Sequence, residues 1–119
     1  MKKLVWVCLA ATLGMASVAQ ADVSAGTYVV EGTNHDGSTY SGTPTIDLSS
    51  ETTCHIHWST VTESDGICML YGNAFAAGYV FKNGSVGLVV YEVMDDGSLE
   101  GAWTIDGKNG SGTERLVPQ

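Results

Sequence analysis

Two histidines, His55 and His57, stand two residues apart in a stretch that reads as a β-strand. Side chains at i and i+2 on a strand leave by the same face, which is how two imidazoles come to share a metal ion. A third ligand would have to come from His35 or a nearby carboxylate, and no motif fixes one, so paired surface histidines are the simpler reading. The acidic residues Asp95, Asp96, Glu100 and Asp106 lack the spaced oxygen ligands of a twelve-residue calcium loop. They read as a polar turn followed by outward side chains. No carboxylate pair can be nominated for glycoside chemistry. A Gly-x-Ser-x-Gly elbow, a phosphate loop and a His-Glu-x-x-His pair are all absent from the sequence. The expectation is a protein without catalytic residues, resident metal or cofactor.

The aromatic residues offer a different chemistry. Trp58 and Trp103, with Tyr28, Tyr40 and Tyr91, fall on one inferred face of their strands. In a closed β-structure that face is either a filled core or the lining of a small apolar cavity in which tyrosine hydroxyls orient a ligand. The sequence leaves both open. Cys54 and Cys68 are separated by 13 residues, which is not a redox Cys-x-x-Cys spacing. An even number of cysteines in a small exported domain favours a disulfide. Two buried thiols, or metal ligands beside His55 and His57, are the alternatives.

Export is inferred from the first 21 residues. Lys2 and Lys3 precede an apolar run from Leu4 to Val18, and Ala19-Gln20-Ala21 supplies the small residues of a signal-peptidase site. The run is short for a bilayer span. Cys8 lies too early, and in the wrong context, for a lipoprotein signal. Cleavage would leave Asp22 to Gln119, a single domain of 98 residues (119 − 21), in the periplasm or outside the cell. All 13 acidic residues lie in this part, against Lys82, Lys108 and Arg115, for a formal charge of 3 − 13 = −10. Such a chain repels phosphate backbones, so nucleic acid is not expected as a partner.

The elements that must position the aromatic residues are short strands joined by glycine-containing turns; with 15 glycines in the chain, long helices are not expected. The predicted strands are Thr27–Gly32, Ser38–Leu48, Thr53–Val61, Gly66–Tyr71, Ala74–Phe81, Val86–Val93, Leu99–Ile105 and Ser111–Val117. In the second, Tyr40, Gly42, Pro44, Ile46 and Leu48 alternate inward, and Pro44 predicts a bulge or an exposed edge. The sixth is apolar on both faces, which predicts a central or covered strand, or an outer patch of Leu88 and Val90 used for dimerisation or a protein partner. Asp36-Gly37-Ser38 and Asp96-Gly97-Ser98 echo one another, each followed by a glycine and then Thr-Ile-Asp. Eight meandering strands dispose of their edges by closing, so the expected fold is an all-β, eight-stranded, antiparallel up-and-down barrel; a two-sheet sandwich is the alternative.

The pattern Tyr-x-Val-x-Gly, then Asp-Gly-Ser-x-Tyr-x-Gly-Thr, then Trp58, resembles a group of small exported bacterial β-proteins. The later half of that pattern is Asp96-Gly97-Ser98-Leu99-x-Gly101-x-Trp103 and Gly112-Thr113-Glu114-x-Leu116. A fainter likeness is to avidin-type and lipocalin-type, calycin-like barrels, which also run Asp-Gly-x-Leu-x-Gly turns into strands; Tyr28 stands where many of those carry a tryptophan. This likeness implies barrel topology and no particular ligand. The function expected is non-catalytic binding, of a small apolar or amphipathic ligand inside or of a protein partner outside, by a monomer or weak dimer. Small exported protease inhibitors with one disulfide share that kind of barrel, so inhibition of an exported enzyme is the rival, and a structural envelope role a third. The short segment Asp22–Ala25 counts against strand insertion into a protease cleft.

Overall fold

The computed structural model describes residues 21–119; the expected leader, apart from Ala21, lies outside the described residues. Eight strands follow one another: β1 Gly26–Thr33, β2 Thr39–Leu48, β3 Thr53–Ser59, β4 Glu63–Tyr71, β5 Ala74–Phe81, β6 Val86–Val93, β7 Leu99–Ile105 and β8 Gly112–Pro118. Each pairs antiparallel with its neighbours in sequence, and β1 pairs with β8, so the sheet closes. Closure excludes the sandwich. Period-two alternation selects the interior: Tyr28 and Val30, Cys54, Ile56 and Trp58, Val89, Tyr91 and Val93 are all buried.

Three turns share one construction. In each, a glycine at φ near +90° (Gly37, 88°; Gly84, 91°; Gly97, 87°) closes a three-residue hairpin loop. The backbone N–H of the next serine is held by the side chain of Asp36, Asn83 or Asp96, at 2.9 Å in every case. The echo between Asp36-Gly37-Ser38 and Asp96-Gly97-Ser98 is therefore a repeat of turn chemistry, and it recurs at Lys82–Ser85 with asparagine. The Ser38 and Ser98 hydroxyls also donate to the same Asp36 and Asp96 oxygens at 2.6 Å. These bonds hold both carboxyls below their ordinary titration range.

Pro44 lies at neither a bulge nor an edge. It is buried opposite Trp58, and the β1–β2 ladder keeps one register on either side of it, Thr27↔Thr45 and Val30↔Gly42. A barrel has no edge, so the missing N–H falls instead at this interruption of the ladder. Leu48, expected inward, is 47% exposed, because the ten-residue β2 carries its last residues past the packed interior. The turn expected at Thr62–Asp65 is displaced toward Thr60–Thr62, where the Thr60 hydroxyl donates to the Thr62 carbonyl at 2.7 Å. β4 accordingly starts at Glu63, and Ser64 faces inward between Trp58 and Phe81. β6 is flanked on both sides like every barrel strand, yet its outer face is not covered. Leu88 and Val90 lie open with Ile67, Met69, Val80 and Val86, forming an apolar outer face across β4–β6.

Cys54 and Cys68 face each other directly across the β3–β4 ladder, 5.0 Å apart at Cα, and are joined by a disulfide inside the barrel. The end of the barrel bearing the β2–β3, β4–β5 and β6–β7 connections is filled by Leu70, Phe75, Val93, Leu99 and Leu116. Tyr28 belongs to that end, its hydroxyl donating to the Ser24 carbonyl at 2.7 Å, and Ala21 and Val23 pack against the same core. The opposite end is open.

Candidate functional site

The open end leads into a cavity of about 340 Å³ inside the barrel, lined by Tyr40, Trp58, Ser64, Tyr79, Phe81, Val89, Trp103, Ile105 and Glu114, with the β1–β2 and β3–β4 turns at its rim. Two wider hollows, about 960 and 800 Å³, lie on the outside around Gly78, Ile67 and Leu88. They are more open depressions over the apolar outer face. The interior cavity is the one that surrounds a guest.

Its floor is a row of five residues directly side by side on five strands: Tyr91 on β6, Gly101 on β7, Glu114 on β8, Gly32 on β1 and Tyr40 on β2. The glutamate stands in the middle with a glycine on either side. Gly32 leaves space for the Tyr40 ring and Gly101 for the close approach of the β6 backbone, and both tyrosines reach the glutamate, Tyr40 donating to Oε2 and Tyr91 to Oε1, each at 2.5 Å. The Tyr40 ring lies so close over Gly32 that a Cβ there would come within 2.3 Å of it. Tyr79 over Gly87 and Trp103 over Gly112 repeat the device, with closest approaches of 2.4 and 2.6 Å to the rings. Each of these aromatic residues is the cross-strand partner of the glycine it covers. Small residues opposite large ones thus fold the rings back against the wall and keep the centre open.

The rings meet at steep angles around the opening, one pair edge to face and one tilted. Tyr40 and Trp103 have centroids 6.1 Å apart at 82°, and Trp58 and Tyr79 are 5.0 Å apart at 58°. His35, on the β1–β2 turn, stands edge-on to Trp103 at 4.9 Å. Among the described residues, the indole N–H groups of Trp58 and Trp103 are buried without a hydrogen-bond partner. That of Trp58 lies near enough to Glu114 to favour its charged form without making the bond.

Burial dominates the electrostatics. It holds the Glu114 carboxyl above its ordinary range, partly offset by the two tyrosine hydroxyls. Tyr40, Tyr79 and Tyr91 are all pushed up, first by burial and then by the Glu114 charge, so they remain hydroxyl donors. The folded chain therefore holds the Glu114 proton more tightly than the unfolded chain does. Ionising it costs stability, a cost that begins above the unfolded value and is complete once pH exceeds the raised folded value.

Of the aromatic residues expected to share a cavity, Tyr40, Trp58 and Trp103 line it, and Tyr91 supports its floor through Glu114. Tyr28 is inward but sits at the filled end, away from the others. His55 and His57 do share an outer face, but both nitrogens of His57 are engaged, Nδ1 with Asp65 at 2.6 Å and Nε2 with Glu63 at 3.1 Å. The Asp65 hydrogen bond is the main cause that raises the His57 pKa. Among the described residues no group of three or more histidine, cysteine or carboxylate side chains is arranged to hold a metal. Asp96 and Glu100 flank Arg115 on the outside, at 3.5 and 3.3 Å. Glu114 was not among the residues singled out from the sequence, although alternation with Leu116 and Gly112 assigns it to the inner face.

No protein-family model and no curated protein sequence matches the chain. Solved structures do resemble it. A redesigned β-barrel superposes with a TM-score of 0.72 at 16% identity, covering 80% of this chain and 90% of that one. A de novo designed fluorescence-activating β-barrel gives 0.67 at 16%, covering 81% and 94%. The redesigned barrel mFAP1, bound to DFHBI, gives 0.71 at 17%, covering 79% and 94%. At these identities the likeness is one of fold: the chain is a closed, eight-stranded, all-antiparallel β-barrel of the same architecture as those designed barrels.

Proposed function

We propose that the protein is a non-catalytic binding protein that holds a small, largely aromatic or apolar molecule in the open half of its barrel. The observation that carries this reading is the floor of the cavity. A partly buried carboxyl is fixed by two tyrosines between two glycines, beneath aromatic walls enclosing about 340 Å³, near the low end for small-ligand sites. A barrel needing only to be stable would fill that space, since a buried charge costs free energy that an apolar side chain does not. The redesigned barrel mFAP1, bound to DFHBI, supports the reading by analogy, as a barrel of similar architecture that carries a small molecule. Export is supported by the leader-like residues 1–21 and by the Cys54–Cys68 bridge, a bond characteristic of oxidising compartments. The open apolar face of Ile67, Met69, Leu88 and Val90 favours, as a second reading, a protein partner on the outside.

Ser64→Phe tests the cavity, because Ser64 points into it between Trp58 and Phe81. Calorimetric titration with 2-phenylethanol, an uncharged probe, is expected to show saturable one-to-one binding to the natural protein. The variant, shown folded by circular dichroism, should bind about tenfold more weakly or worse, because the new ring occupies the guest's volume. Equal binding by both proteins, or failure of the natural protein to bind this probe and its amine and carboxylate analogues alike, would reject the interior site.

A further inference from the structure

The cavity's charge and hydrogen-bonding pattern narrows its guest. Among the described residues, Glu114 is the one carboxyl in the lining, and no lysine, arginine or histidine contributes to it. Arg115, the next residue along β8, turns outward to Asp96 and Glu100. Every polar hydrogen directed at the carboxylate belongs to a neutral group, the hydroxyls of Tyr40 and Tyr91, with the Trp58 indole nearby. Phenols share a proton with a carboxylate but do not cancel its charge. A buried charge without a counter-ion is the costly arrangement; one with a counter-ion in a low-dielectric site is held strongly. Trp58, Tyr79 and Trp103 line the same space, and aromatic rings attract organic cations through their faces.

On the reading that the cavity holds a guest, we propose that this guest is a small aromatic or amphipathic organic cation of the amine class. Its ammonium group would rest against Glu114 and its apolar part between Trp58, Tyr79 and Trp103. A neutral guest would leave the carboxylate uncompensated, and an anion would be repelled by it. The surroundings agree in sign: residues 22–119 carry three basic and 13 acidic side chains, a field that gathers cations toward the molecule.

Three probes of nearly equal shape and different charge test the proposal: phenethylamine, 2-phenylethanol and phenylacetate, each titrated against the tryptophan fluorescence of the purified protein. Phenethylamine is expected to bind at least about tenfold more tightly than the alcohol, the scale of a charge-assisted hydrogen bond, with phenylacetate weakest. Lowering the pH through the titration of Glu114 should weaken amine binding and leave alcohol binding unchanged, a readout that needs no variant. In Glu114→Gln the amine and the alcohol should bind alike. That variant is expected to fold, and, at pH above the titration of Glu114, to melt at a higher temperature than the natural protein, because it removes the uncompensated charge. The advantage should shrink in acid, where Glu114 is itself neutral. Equal affinities for amine and alcohol in the natural protein would overturn the cation, and a preference that survives undiminished in Glu114→Gln would overturn its seat on Glu114, while either leaves the cavity reading intact. Failure of all three probes to bind would overturn both.

Discussion

Replacing Cys54 and Cys68 together by alanine is expected to lower stability by about 3 kcal/mol, the chain-entropy value for opening a loop of roughly 15 residues. For a domain of this size that corresponds to a fall in melting temperature of roughly 12–24 °C. The two residues are direct partners across the β3–β4 ladder, 5.0 Å apart at Cα, so the bridge adds no chain reversal that the hairpin lacks. Its contribution lies in the unfolded chain, where it keeps β3 and β4 joined, and in the buried contacts of the two sulfurs. Reduction of the natural protein without substitution should reproduce most of the shift in a calorimetric scan. A change of only a degree or two on both treatments would show that barrel closure alone holds these strands.

Gly101→Ala is expected to cost about 3 kcal/mol or more, at the upper end of overpacking effects. A Cβ at Gly101 would lie 1.8 Å from the Val90 carbonyl oxygen and 2.8 Å from the Tyr91 Cα, so backbone rather than a yielding side chain must move. The segment that would move carries Tyr91, one of the two donors to Glu114, and the floor of the cavity would shift with it. Gly78→Ala is the matched control. Its Cβ would meet only the Leu88 Cδ2 at 3.8 Å on the open outer face, and a change within about 0.5 kcal/mol is expected. Urea unfolding of the two variants measures the contrast. Equal losses would mean that β7 lacks the close approach that Gly101 permits.

Much of the fold is legible in the sequence because strands state their inner and outer faces through alternation. Tyr28 and Val30 in β1, Cys54, Ile56 and Trp58 in β3, and Val89, Tyr91 and Val93 in β6 all point where their spacing predicts. Closure follows from eight short strands with no long connection to cover an edge. Height along the barrel axis is not written in alternation. Tyr28 and Tyr40 are both inward, yet one packs at the filled end and the other at the open end, because strand stagger decides their level. The same limit hid the floor of the site. Gly32 closes the first predicted strand and Gly101 lies within the seventh, and only the cross-strand register reveals that they flank Glu114. Glu114 itself was obscured by its type. A carboxylate in an acidic chain is assigned to the surface by default, although its alternation with Gly112 and Leu116 points inward. Its conflict with the rest of the interior is the kind of local exception that motivates the proposed binding role. Pro44 misled in the opposite sense, since a barrel absorbs a missing donor at a gap in one ladder without needing an edge.

The most direct measurement of the central claim is native mass spectrometry of the protein purified from the cells that make it, without denaturation. The account predicts a chain carrying one small molecule, released on unfolding, whose composition includes an aromatic or apolar frame and a basic nitrogen. A bare chain in every preparation, with no added mass lost on unfolding, would contradict it.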